Sequence, residues 1–225
     1  MYEKKKNISI LGCGWIGAVV REKLESIGHE VNCLSRDIGM NAVAQFYACD
    51  VLLIAIPPSS EYLEVLDDTL FYLDAKIDTQ VIFLSSISFY EENKSIIEAE
   101  KLVETAKDDA VILRLGGLMG YDRIAGKYTI HHTIEDSVTQ YVHRDDVVEI
   151  ISEIIKKDRR CKTFDVVAPI QSTKKEIFSQ NAEQFHFGAT YFSGKKSVHK
   201  VISSNTLCED LGYQFQKADV KEFWR

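Results

Sequence analysis

The sequence predicts an α/β protein built on a doubly wound parallel sheet, and three observations carry that prediction. Strand-length runs (Ile8–Leu11, Val51–Ile56, Gln80–Leu84, Val111–Leu115) alternate with stretches of helical periodicity. Val51–Ile56 is apolar throughout and each of the other three holds a single polar residue, as strands covered on both faces of a parallel sheet do. The first leads straight into Gly12-Cys13-Gly14-Trp15-Ile16-Gly17, a G-x-G-x-x-G turn between a strand and a helix.

In that turn Gly12 allows the tight bend, Gly14 leaves room for backbone to approach a pyrophosphate, and Gly17 lets the helix sit close on the strand. An anion would rest on the helix N-terminus, where free N–H groups and the macrodipole favour negative charge, with Trp15 and Ile16 in the same turn. Ile16, Val19, Val20, Leu24 and Ile27 follow helical spacing to a stop at Gly28. His29–Leu34 is the second strand, ending at Ser35-Arg36. An acid there suits a ribose 2′-hydroxyl and a base suits a 2′-phosphate, so Ser35 and Arg36 point to NADP over NAD, against the plainer reading of a solvated loop arginine.

Asn41–Ala48 reads as a short helix and Val51–Ile56 as the next strand. Only about fifteen residues separate it from the second strand, too few for a crossover helix and a further strand, so the usual third strand is expected to be absent from the sheet edge. Pro57-Pro58-Ser59 turns the chain at the carboxyl end of the strand, the side on which such sheets bind ligands.

Helices are expected over 61–73 and 95–106, with packing stripes Leu63, Leu66, Leu70, Leu73 and Ile96, Ala99, Val103, Ala106. A second apolar set (Tyr62, Val65, Phe71, Tyr72; Ile97, Leu102) offers a paired-helix homodimer interface, with packing inside one chain as the more economical alternative. The strand between them ends in Ser85-Ser86, and Tyr90 follows. Beyond Val111–Leu115 and Gly116-Gly117, the stretch to Val138 lacks sustained periodicity and reads as a substrate-side loop region.

Asp145-Asp146 would cap a helix over Val147–Lys156, Thr163–Val167 is a late strand, and Ser172 or Thr173 caps a helix to about Asn181. Residues 1–168 would form the sheet domain and 169–225 a small dependent lobe, whose aromatics serve equally as core or as a ligand platform.

Bulk properties narrow the partners. Lys+Arg 27 against Asp+Glu 34 leaves a net charge of −7, which argues against nucleic acid or an anionic membrane and leaves a small molecule. The 5 cysteines are scattered and lack C-x-x-C spacing, so neither a disulfide framework nor a zinc site is expected, and a reducing cytosol is the simplest setting. Adjacent His131 and His132 diverge in regular structure, so no metal site is expected. No apolar run reaches membrane-spanning length and no signal peptide is expected.

The stretches ILGCGWIG, FLSSISFY, ILRLGGLMG, YVHRDDVVEII and SSNTLCEDLGY, in this order, together resemble the extended and atypical short-chain dehydrogenase/reductase superfamily, in its NAD-dependent epimerase/dehydratase branch. The resemblance implies a Rossmann fold with Gly12, Gly14 and Gly17 on the pyrophosphate, and Ala55, Ile56, Pro57 and Ser85 beside the nucleotide. It implies Ser86 as the hydroxyl that meets a substrate carbonyl or alcohol, and Gly116 and His143 on the substrate side, with Asp146 there or simply a helix cap.

The family's chemistry also needs a tyrosine with a lysine four residues on, along one helix face. Tyr90 and Lys94 have that spacing, but Tyr90 stands only four residues after Ser86, and the helix expected from about Ser95 contains no tyrosine. A loop tyrosine and a surface lysine are the alternative. Two functions follow: an oxidoreductase or epimerase moving a hydride between NADP and a hydroxyl or carbonyl, by family habit of a nucleotide sugar, or a non-catalytic NAD(P)-binding sensor or partner-binding protein. A methyltransferase ranks last, because it wants an acid where Ser35-Arg36 stands.

Overall fold

The computed structural model describes residues 4–34, 45–73, 78–196 and 200–224. The chain divides into two compact units, Met1–Arg114 with Val148–Phe164, and Leu115–Val147 with Asp165–Arg225.

The first unit is organised on a six-stranded parallel sheet in the order β2-β1-β3-β4-β5-β9. Its strands are β1 (Asn7–Leu11), β2 (Glu30–Leu34), β3 (Val51–Ile54), β4 (Gln80–Ser86), β5 (Val111–Leu115) and β9 (Lys162–Val166). β1 lies between β2 and β3, the doubly wound arrangement, and among the described residues β2 is the edge, as the short connection to β3 requires. All four residues of β3 are buried, which explains why it reads as an unbroken apolar run.

Three helices cover this sheet by the stripes read from the sequence. α1 (Gly17–Ser26) buries Val20 and Leu24, α2 (Tyr62–Phe71) buries Leu66 and Leu70, and α3 (Lys94–Ala106) buries Ile96, Ala99 and Val103. The last two join Leu52, Ile54, Val81 and Phe83 in one core. Tyr62 belongs to that core as well and leaves the apolar set read as an interface, whereas Phe71 of the same set is 82% exposed.

The second unit pairs β6 (Gly117–Met119) with β8 (Tyr141–His143), and β7 (Thr133–Asp136) with β10 (Tyr191–Lys196). The stretch read as loop therefore carries two strands, of three and four residues. That is too short for a period-2 pattern to stand out. Its core gathers Ala125, Ala168, Ile177, Phe178, Val220 and Phe223. α5 (Lys174–Phe185) starts with a capping box between Thr173 and Glu176, and α6 (Asn205–Leu211) ends at Gly212.

The helix read from Val147 begins earlier: α4 spans Arg144–Lys156, so Asp145 and Asp146 lie in its first turn instead of capping it. Asp146 is fully buried and accepts hydrogen bonds from the Tyr213 hydroxyl (2.7 Å) and the Gln216 and Lys217 N–H groups (2.7 and 3.0 Å). The cap reading gives way because a distant segment delivers three donors to this carboxylate. Among the described residues no helix is long and apolar enough to cross a membrane.

Candidate functional site

The glycine turn joins β1 to α1 with its backbone already committed. Gly12 has φ 105°, and the Gly12 and Cys13 N–H groups both donate to the Leu34 carbonyl (2.8 and 3.1 Å). A Cβ on Gly12 would stand 2.5 Å from the Ala55 carbonyl oxygen, so this residue is packed on the backbone of Ala55 and Ile56; a Cβ on Gly17 would collide with the Gly12 carbonyl. Gly14 differs, because a Cβ there would meet nothing within 4 Å. Protein atoms thus fill the space beside two glycines and leave it open beside the third.

α1 has no side-chain cap and no acid in its first turn, so among the described residues of the helix itself no carboxylate neutralises its positive end. An open glycine backed by such a helix fits a pyrophosphate. Ile16 is buried, Trp15 half-buried and Pro57 exposed. Ser35 and Arg36, on which the NADP reading rests, lie outside the described residues.

Cys13 and Cys33 form a disulfide, Cα to Cα 5.4 Å, contrary to the reading of five unrelated thiols. The cause is strand register: β1 and β2 pair with Ile10 opposite Cys33, and the tight turn after β1 folds Cys13 back towards that partner. The cytosolic expectation loses the support it drew from unpaired cysteines.

At the end of β4 a polar cluster forms around a buried ion pair. Arg114 of β5 donates from Nε to both Glu100 carboxylate oxygens (3.0 and 3.1 Å) and from Nη2 to one of them (2.7 Å), and the Ser85 hydroxyl donates to the same carboxylate. Nη1 donates to the Tyr90 hydroxyl oxygen (3.1 Å), and the guanidinium lies over the Phe89 ring, 3.5 Å from its centroid. Burial works against the arginine's charge, but Glu100 and Tyr90 outweigh it and hold its pKa above the ordinary value.

Ser86 caps the 3₁₀ turn Ile87–Glu91, accepting from the Ser88 N–H (3.2 Å) and hydroxyl (3.0 Å). Glu92 at φ 57° ends that turn before α3 begins at Lys94. Tyr90 and Lys94 therefore sit on separate elements; Lys94 is exposed and Tyr90 half-buried. The structure brings Ser85, Tyr90, Glu100 and Arg114 together.

In the second unit, Gly116 is backbone packing: a Cβ there would collide with the Gln140 carbonyl oxygen, and its N–H donates to the Val166 carbonyl (2.9 Å). His143 is buried beneath Gly120 and edge-on to Phe223, and its Nδ1 accepts the Asp145 N–H (3.2 Å). Burial pushes its imidazole below the ordinary pKa despite the neighbouring Asp145 and Asp146 carboxylates.

Arg114 and Glu100 did not stand out as site residues, although both carry a readable signal. An arginine interrupts the apolar strand VILRL, and a glutamate adjoins the apolar stripe Ile96, Ala99, Val103. A charge in a stretch otherwise bound for the core needs a buried partner.

No protein-family model matches the sequence, and no curated protein matches it. Solved structures do match. A protein from Methylobacillus flagellatus assigned as an NAD-dependent epimerase/dehydratase is 21% identical with a TM-score of 0.78, over 98% of this chain and 96% of that one. A short-chain dehydrogenase/reductase superfamily protein from Agrobacterium tumefaciens with bound NAD is 13% identical, TM-score 0.74, over 93% and 92%. The UDP-N-acetylglucosamine 4-epimerase of Bacillus cereus is 16% identical, TM-score 0.73, over 97% and 98%. The chain has the fold of these short-chain dehydrogenase/reductase and epimerase structures, as the five sequence stretches led one to expect.

Proposed function

We propose that the chain binds NAD(P) on the Gly12–Gly17 turn and acts as an oxidoreductase or epimerase on a hydroxyl or carbonyl group. The observation that carries this is the open space at Gly14, with Gly12 and Gly17 closed by protein on either side. NAD bound to the A. tumefaciens neighbour supports a nicotinamide cofactor, and Arg36 favours NADP. Bound, the nicotinamide supplies hydride exchange with the substrate carbon.

The chain's own residues do the rest. Gly12, Gly14 and Gly17 hold the pyrophosphate against α1, with Ala55, Ile56 and Pro57 alongside. The Ser86 hydroxyl hydrogen-bonds the substrate oxygen, and Tyr90 exchanges its proton. Arg114, donating to the Tyr90 oxygen, takes the positioning part that the family gives to a lysine. The left-handed residue Glu92 between Tyr90 and Lys94 favours a second reading, a dinucleotide-binding protein without turnover. A homodimer through α2 and α3 is supported by exposed Phe71, Tyr72 and Ile97; a monomer in sedimentation at micromolar concentration removes it.

The test is calorimetric titration with NADPH and with NADH, followed by hydride-transfer assays on carbonyl and nucleotide-sugar panels. We expect NADPH to bind more tightly, and turnover to fall by about 10²–10⁴ in Tyr90→Phe. Binding without turnover selects the second reading. Failure to bind either nucleotide rejects both.

A further inference from the structure

The Cys13–Cys33 disulfide lies on the glycine turn itself, one residue before Gly14, the glycine with open space beside it. It ties that turn to β2 next to Leu34, the last residue of the strand. In doubly wound folds the turn takes the pyrophosphate and the end of the second strand takes the adenosine ribose. The bond therefore joins the two parts of one nucleotide site.

The sheet has its own support. β1 and β2 pair from Asn7 opposite Glu30 to Leu11 opposite Leu34, and α1 is seated by buried Val20 and Leu24. What the bond adds is local, on the turn. Beside it, the Gly12 and Cys13 N–H groups hold the turn to β2 through one shared acceptor, the Leu34 carbonyl (2.8 and 3.1 Å).

Both cysteines are half-buried, so a small dithiol can reach the bond. Cys33 Sγ also lies 3.9 Å from the Gly17 carbonyl oxygen in the first turn of α1, within the reach of a sulfur hydrogen bond. Once reduced, the Cys33 thiol can donate there. Its sulfur thus has a partner in either redox state, Cys13 when oxidised and the helix when reduced.

We propose that this bond is a redox clamp on the nucleotide turn, closed as the disulfide and opened by a dithiol. The proposal rests on the cofactor reading of the same turn. Opening is thiol–disulfide exchange: a thiolate of the reductant attacks one sulfur, giving a mixed disulfide and releasing the other cysteine as a thiolate. The reductant's second thiol then displaces the remaining cysteine. Cys13 and Cys33 gain two electrons and two protons as thiols, and the dithiol gives them up as it closes to its own disulfide. A loop fixed in its binding geometry has less to order when the ligand arrives, so the disulfide form binds a dinucleotide more tightly. By linkage, bound nucleotide protects the disulfide from reduction by the same factor.

The test is calorimetric titration of NADPH into the full chain, once oxidised and once held reduced by dithiothreitol, with a Cys13→Ser/Cys33→Ser double variant under both conditions. Reduction should raise the Kd at least about fivefold, the low end of coupling between two sites, because the hydrogen bonds to Leu34 remain. The double variant should bind as the reduced wild type does and ignore dithiothreitol. Saturating NADPH should raise, by the same factor, the ratio of reduced to oxidised dithiothreitol at which half the bonds are open. Equal affinity in the two redox states, or a reduced protein that circular dichroism finds unfolded, makes the bond a structural brace. Either result overturns the inference and leaves the cofactor reading standing. Tighter binding after reduction overturns it too. A chain that binds no NADPH in either state refutes the cofactor reading and the clamp with it.

Discussion

Replacing Gly14 with alanine separates what the fold needs from the glycine turn from what a ligand needs. The added Cβ meets no atom within 4 Å, and Gly14 is not among the residues with positive φ. The ligand-free protein should therefore lose nothing, and a stiffer unfolded chain should add about 0.4–1 kcal/mol. At 2–4 °C per kcal/mol for a chain of this size, that is a rise of about 1–4 °C in melting temperature. Nucleotide at a hundred times its Kd stabilises the wild type by about 2.7 kcal/mol, or roughly 5–11 °C. In Gly14→Ala the methyl group occupies the space a pyrophosphate needs, and this shift should collapse. Gly17→Ala is the control: its Cβ collides with the Gly12 carbonyl, so it should be less stable by about 1–3 kcal/mol and melt about 2–12 °C lower even without ligand. Melting curves of the three proteins with and without NADPH read all of this. A Gly14→Ala protein that keeps the full shift, or that melts well below wild type when empty, refutes the reasoning.

Thiol titration of the denatured, unreduced protein should find three thiols, from Cys49, Cys161 and Cys208, rising to five after reduction; five at the outset would remove the Cys13–Cys33 bond. Arg114→Met strands the Glu100 carboxylate, which is 2% exposed, and should cost about 3–5 kcal/mol in urea unfolding. Adding Glu100→Leu should recover part of that loss, and a double variant no more stable than the single one contradicts a buried pair. Because the His143 pKa is lowered on folding, both states are neutral above about pH 6.5 and its contribution is complete there. As the pH falls the unfolded chain protonates first, so stability declines below that value. Melting temperatures from pH 7.5 to 5 should fall more steeply in wild type than in His143→Asn, and parallel slopes would dismiss the effect.

Residue order alone determined the sheet, the place of β2 at its edge among the described residues, the glycine turn and the helical stripes of α2 and α3. Each follows from interactions between residues a few positions apart: apolar periodicity, turn chemistry and the minimum length of a crossover. The resemblance carried by five short stretches led to the same fold as the solved structures, although identities of 21% or less leave the chemistry to be argued from side chains. Tertiary structure decided the rest, because each remaining feature joins residues that only strand register and packing make neighbours. Tyr90 meets Arg114, 24 residues on, where Lys94 was the partner suggested by spacing. Cys13 finds Cys33 because β1 and β2 pair side by side, a distance that no cysteine count contains. Asp146 becomes the acceptor for a segment about 70 residues away; a carboxylate looks the same in sequence whether folding brings it donors or leaves it in solvent.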